Sequence, residues 1–176
     1  MTLRNIASCL ILYVALISTA HAAPQMETFR DWTASLEEVD TGEDVRKTCA
    51  ATTSTEDKLW TLKVSITNGD ALPPDFYPAI VIDAPGGGLT EGESLPAVFT
   101  FGDKRIDAKI SGGGKQVIVN NTNATNLALL RAMAAGSTLD LTLAGKPVPS
   151  LSLAGFTAAY RKLGTACGFP TGDVAK

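Results

Sequence analysis

The chain has 176 residues, of which 45% are hydrophobic, 19% charged and 6% aromatic. That length suits one domain and is short for two, and the apolar content excludes a disordered chain. Lys and Arg number 15 against 18 Asp and Glu, a formal charge of -3, which leaves no basic footprint for nucleic acid.

The first segment reads as an address. Arg4 is the one positive side chain among the first five residues, and 6–17 are almost purely apolar. Ala20-His21-Ala22 follows as a small-x-small site. This is the pattern of a secretory signal peptide, cut after Ala22. Ile6-Ala7-Ser8-Cys9 imitates a lipidation site but precedes most of the apolar run, so it reads as chance. Beyond this segment no apolar run approaches the ~20 residues a membrane helix needs.

Cleavage removes much familiar chemistry. His21 is the only histidine, so the mature chain has no imidazole for Ser-His or Cys-His catalysis or for His-containing metal sites. Cys9 leaves too, and Cys49 and Cys167 remain. Two cysteines in an exported chain most often pair with each other. Two separate thiols, or pairing with another chain, are the alternatives.

The remaining sequence predicts mostly strands. Phe29 to Ala34 reads as a first strand, and the charged stretch Glu37 to Lys47 as an exposed loop or wide hairpin. Thr48 to Thr53 predicts a second strand carrying Cys49. In Lys58 to Thr67, Trp60, Leu62, Val64 and Ile66 alternate with polar residues, the mark of a half-buried strand. Asn68-Gly69-Asp70 signals a turn. Tyr77 to Asp83 predicts a strand, and Ala84 to Glu93 a loop containing Gly86-Gly87-Gly88. Pro96 to Phe101 and Arg105 to Ile110 read as strands around Gly102-Asp103. Gly112 to Lys115 is a turn before a short strand, Gln116 to Asn120.

A helix is expected over Leu127 to Ala135, capped by Thr125 or Asn126 and stopped by Gly136, with Leu127, Leu130 and Ala134 on one face. Thr138 to Leu143 and Val148 to Leu153 read as strands around Ala144-Gly145-Lys146. Phe156, Ala159, Tyr160 and Leu163 have helical spacing, with Gly164 the expected stop and Cys167 just beyond. The expected fold is mainly β, a single-domain antiparallel β-sandwich or partly open barrel with two short helices. The domain would span 23–167, and 168–176 would be a flexible tail.

Candidate sites are few. Gly86-Gly87-Gly88 and Gly112-Gly113-Gly114 match neither a phosphate-binding loop nor a dinucleotide fingerprint, and read as loop glycines. Asp83, Glu91, Glu93 and Asp103 would suit carboxylate catalysis or calcium if they converged; solvated loop charges are the simpler reading. Ser94 and Ser152 lack a nucleophile-elbow setting, and no S-x-x-K motif supports a Ser-Lys pair. Asn120-Asn121-Thr122 and Asn123-Ala124-Thr125 match the glycosylation acceptor, which matters only in a eukaryotic secreted chain. Trp32, Trp60 and Tyr160 are the large aromatics best suited to anchor something; Trp60, on an alternating face, and Trp32 read as core, and neither is assigned to a ligand. No cofactor and no metal is expected.

Two segments carry a family resemblance. Phe29-Arg30-Asp31-Trp32 is an aromatic-x-Asp-Trp opening, and Ser150-Leu151-Ser152-Leu153-Ala154-Gly155-Phe156 through Tyr160 and Leu163 is a terminal motif. Together they resemble the invasion-associated locus B family. The quoted residues cover about a tenth of the chain, and the general order of elements covers most of the rest. The family commonly has a Cys where this chain has Leu36, and a close Cys pair where this chain has Gly112 to Lys115. Cys49 resembles the surviving member of the first pair. The resemblance implies a small periplasmic or surface protein of a Gram-negative bacterium, mainly β, without known catalytic residues. Some members are linked to entry into host cells. The family supplies no site residues to carry over.

The expected function is therefore a non-enzymatic binding or envelope-associated protein. Its partner would be a protein of the envelope or host membrane. One rival is a secreted inhibitor of a host hydrolase such as lysozyme, inserting the loop from Asp83 to Glu93, an analogy of fold alone. Another is a hydrolase using the carboxylates or a Ser-Lys pair.

Overall fold

A computed structural model describes residues 24–40, 42–84, 89–119 and 122–176. The signal segment, Gly86-Gly87-Gly88 and Asn120-Asn121 lie outside the described residues. Ten strands and two helices follow one another as β1 (Gln25–Phe29), β2 (Trp32–Asp40), β3 (Val45–Ser54), β4 (Thr61–Thr67), β5 (Ala79–Asp83), β6 (Leu89–Phe101), β7 (Lys104–Gly114), β8 (Gln116–Val119), α1 (Asn123–Ala135), β9 (Thr138–Leu143), β10 (Lys146–Ser152) and α2 (Phe156–Cys167).

All strands belong to one antiparallel sheet, ordered β1-β2-β3-β4-β5-β8-β7-β6-β9-β10. The sheet curls without closing, so the mainly β expectation is met as an open, curled sheet. One buried cluster joins both halves, with Leu62, Ile80, Phe99, Ile110 and Leu139 all fully buried. The alternation in β4 does what its period implies: Leu62, Val64 and Ile66 face inward while Thr61, Lys63, Ser65 and Thr67 remain half-exposed.

Several boundaries differ from expectation for local reasons. The first strand is broken by a two-residue turn at Arg30-Asp31, because Phe29 pairs with Trp32 across a hairpin. Helix α1 begins earlier, where the Thr122 hydroxyl accepts from the Thr125 N–H. Its buried face is Asn126, Leu129, Leu130, Ala132 and Met133, with Leu127 and Ala134 at the margin. Gly164 does not stop α2. It is glycine because a Cβ there would lie 2.3 Å from Thr171 Cγ2 and 2.7 Å from the Phe169 carbonyl. The helix runs on to Cys167, and Gly168 caps it in the left-handed conformation.

The residues after α2 are packed rather than loose. Phe169, Val174 and Ala175 are buried, and Arg131 Nε donates to the Asp173 carbonyl at 2.6 Å. Cys49 on β3 is bonded to Cys167 at the end of α2, 118 positions further along the sequence.

A loop of that length removes much denatured-state entropy when closed, worth about 5 kcal/mol in the chain-entropy model. We expect the Cys49→Ser/Cys167→Ser variant to unfold about 2–5 kcal/mol more easily in urea than the oxidised protein. An unchanged urea midpoint would show that the crosslink does not stabilise the fold.

Candidate functional site

The two segments that carry the family resemblance meet in space. Trp32 is fully buried, and its indole N–H donates to the Ser152 carbonyl at 3.0 Å. Its ring packs edge-on against Phe156, with centroids 4.8 Å apart. The Asp31 N–H donates to the Ala154 carbonyl at 3.1 Å, and the Ser152 hydroxyl donates to Asp31 Oδ2 at 2.6 Å. Gly155 adopts φ +99, and a Cβ there would lie 1.8 Å from the Phe29 carbonyl. The hairpin turn and the end of β10 thus form a seam joining the two ends of the sheet.

A cleft of about 610 Å³ opens along this seam. Its walls are the Arg30-Asp31 turn, the loop between β3 and β4, and the end of β10, and every side chain lining it is polar or charged. The β3–β4 loop is held tightly. Thr55 N–H donates to the Trp60 carbonyl at 3.0 Å, and Lys58 N–H to the Thr55 carbonyl at 2.9 Å. Thr55 Oγ1 donates to Asp57 Oδ1 at 2.5 Å, and Leu59 N–H to the same oxygen at 2.9 Å. These two donors, the hydroxyl first, hold the Asp57 carboxyl below its ordinary range.

Two cations flank the cleft in an unusual backbone state. Arg30 has φ +56 and Lys58 φ +60, a region where glycine or asparagine is the ordinary choice. Neither forms an ion pair among the described residues. Below the cleft, the outer face of β1 to β4 carries cross-strand hydroxyls. Thr28 and Thr33 lie 3.3 Å apart, and Ser54 and Thr61 3.1 Å apart. A smaller cavity of about 270 Å³ lies between β1, β2 and α2, beside the Lys162–Glu27 ion pair.

The carboxylates singled out in the sequence do not converge. Asp83 is level with Glu93, since Asp83 pairs with Gln116, Gln116 with Gly113, and Gly112 with Glu93. Three strand spacings separate them, roughly 14 Å, beyond the ~5–9.5 Å of a glycosidase pair. Asp103 sits in the turn between β6 and β7, ten residues of strand away from Glu93, or about 33 Å. The side chain of Glu91 and residues 85–88 of the segment offered as an inhibitory finger lie outside the described residues, and 89–93 of that segment are not loop but the start of β6. Ser94 pairs across β6 and β7 with Ser111, and Ser152 bonds Asp31 rather than a lysine amine.

Other candidates have structural work. Gly112 is confined by the Gln116 carbonyl, 2.5 Å from where its Cβ would stand. Asn123 accepts from the Tyr77 N–H at 2.8 Å and donates to the Asp75 carbonyl at 2.9 Å, so its amide is engaged. Trp60 packs half-buried against the core, and Tyr160 is fully buried. Among the described residues no three His, Cys, Asp or Glu side chains group closely enough for a metal ion, and no helix is long and apolar enough to cross a membrane.

A buried polar cluster holds the last residues. Tyr77 OH donates to Asp173 Oδ2. Tyr160 OH and Asp173 Oδ1 are buried without a hydrogen-bond partner among the described residues. Burial, then the Asp173 carboxylate, pushes the Tyr77 phenol up to about 12. Burial also raises the Tyr160 phenol above its ordinary range, with further help from Asp173.

Comparison with known proteins finds no family model that matches the chain, and neither curated proteins nor solved structures yield a match.

The tyrosines set an alkaline limit. Both phenols ionise at higher pH in the folded chain than in the unfolded one, where the value is near 10. The unfolded chain therefore loses its protons first as pH rises, and stability falls. We expect urea stability to be unaffected by these groups below about pH 10 and to decline from there through about pH 12. Tyr77→Phe should be about 1 kcal/mol less stable at pH 7, having lost one hydrogen bond, and the gap should narrow above pH 10. A pH-independent gap would detach Tyr77 from the alkaline transition.

Proposed function

We propose that this chain is an exported, non-enzymatic binding or envelope-associated protein of a Gram-negative bacterium, similar to invasion-associated locus B proteins. The observation that carries this reading is the seam. The aromatic-x-Asp-Trp opening and the terminal Leu-Ala-Gly-Phe motif are distant in sequence yet make direct, complementary contacts: Asp31 with Ser152 and Ala154, Trp32 with Phe156. That contact gives both motifs one structural reason to occur together. Register adds support, because Leu36 lies directly opposite Cys49. A family cysteine at position 36 would stand across the strands from Cys49. The Cys49–Cys167 bond suits an oxidising compartment.

Binding would use a preformed surface, since the cleft walls are tied by hydrogen bonds rather than left to order on contact. Host contact is part of this reading through the resemblance alone.

The test is expression of the full chain in a Gram-negative host, followed by fractionation and crosslinking in envelope extract. The expected product begins at Ala23, has no free thiol, and captures a saturable partner that the Cys49→Ser/Cys167→Ser variant loses. Retention in the cytoplasm with an intact leader would refute export. Turnover of a substrate abolished by a single substitution in 23–176 would refute the non-enzymatic part.

A further inference from the structure

We propose that the seam cleft binds an oligosaccharide bearing carboxylate groups. The proposal rests on the binding-protein reading and names the ligand class. Its starting point is an anomaly of residue choice. Two turns lining one cleft both need a left-handed residue, and both supply a long cation instead of glycine or asparagine. Each such residue is held at a cost in backbone strain. Strain of this kind collects where a side chain is needed in a particular place. Among the described residues Arg30 and Lys58 then have no ion pair, which leaves the charges the strain positions open to a ligand.

The rest of the lining selects the chemistry. No apolar side chain faces the cleft, which disfavours a peptide anchored by hydrophobic residues. Thr28, Thr33 and Ser54 present hydroxyls that both donate and accept, matching sugar hydroxyls. Asp31 and Glu56 also line the cleft, and carboxylates accept from sugar hydroxyls in the same way. These two anions repel a dianionic phosphate more than a singly charged carboxylate. A planar guanidinium matches a carboxylate with two parallel hydrogen bonds, and Lys58 supplies a second point charge in the same cleft. The volume falls in the ordinary range for small-ligand sites.

The test uses the oxidised protein and tetragalacturonate as probe, with maltotetraose and inorganic phosphate as comparators, by titration calorimetry and amide NMR. We expect saturable binding of tetragalacturonate in the range of about 0.1–1 mM, since few desolvated contacts are available. Maltotetraose and phosphate should each bind at least about tenfold more weakly. Amide shifts should centre on Arg30, Lys58, Ser54 and Ser152.

Arg30→Asn and Lys58→Asn separate binding from folding. Asparagine tolerates the left-handed region, so both variants should melt at or above the wild-type temperature. Each should nevertheless weaken tetragalacturonate binding roughly tenfold or more, through loss of a charge-assisted hydrogen bond. Lys58→Arg should retain binding. No saturable binding up to about 10 mM would overturn the proposal, as would equal binding by the asparagine variants or equal binding of maltotetraose. Capture of an envelope partner with no oligosaccharide binding would overturn the cleft assignment and leave the binding-protein reading standing. Oligosaccharide binding by a chain retained in the cytoplasm would uphold the cleft assignment and refute the export part of that reading.

Discussion

The burial of Trp32 between the two ends of the sheet is the contact on which the other features depend. An open ten-stranded sheet has two free edges and no ladder to join them. Here they are joined by side chains and isolated backbone bonds. Trp32 fills the space under α2, bonds the end of β10 through its indole N–H, and gives Phe156 an edge to pack on. Phe156 in turn lies 5.7 Å from Tyr160, and Tyr160 5.8 Å from Phe169. A line of aromatic rings therefore runs from the first hairpin to the last residues. The disulfide ties the same two regions covalently, from β3 to the end of α2. Gly155 belongs to this arrangement because the Phe29 carbonyl occupies the space a side chain would need.

What the sequence made legible depended on how local the cause was. The alternation in Thr61 to Thr67 is readable because one face of β4 is buried and the other is not. The strand Thr138 to Leu143 was equally plain. The Arg30-Asp31 turn was hidden because neither residue is the glycine or asparagine that marks a hairpin. Gly164 misled for the opposite reason. A glycine near a helix end usually stops it, but this one is required by the returning chain at Phe169 and Thr171. The order of 168–176 was also invisible, since it comes largely from Tyr77 and Arg131, which are remote in sequence, with Arg161 of α2 adding a bond to Ala175.

The cleft was illegible for the same physical reason. Arg30 and Ser152 lie inside the two resemblance segments, Ser54 and Lys58 belong to no motif, and the four are spread over more than a hundred residues. Only the curling of the sheet brings β10 back to the first hairpin. The sequence did expose the partners of the closure, Asp31-Trp32 and Leu153 to Phe156, because large aromatics and a fixed glycine stand out in a chain with few aromatics. It did not expose what the closure creates beside it, because serine and threonine on strand faces look like ordinary solvated positions.

The two edges are protected by different means, and the difference explains why the sheet stays open. β10 contains Pro147 and Pro149, which cannot donate to another strand, and its pairing with β9 is interrupted between Val148 and Leu151. A further strand cannot add there without losing hydrogen bonds at both prolines. β1 has no proline. It is shielded instead by α2, from which Lys162 reaches across to Glu27 at 2.7 Å. A closed barrel would require β1 and β10 to pair as a ladder, which the prolines oppose. The chain closes its core with Trp32, Phe156 and the disulfide, and leaves the strand ends apart. The polar gap between those ends is the cleft. Its existence thus follows from the same proline-bearing edge that prevents the sheet from becoming a barrel.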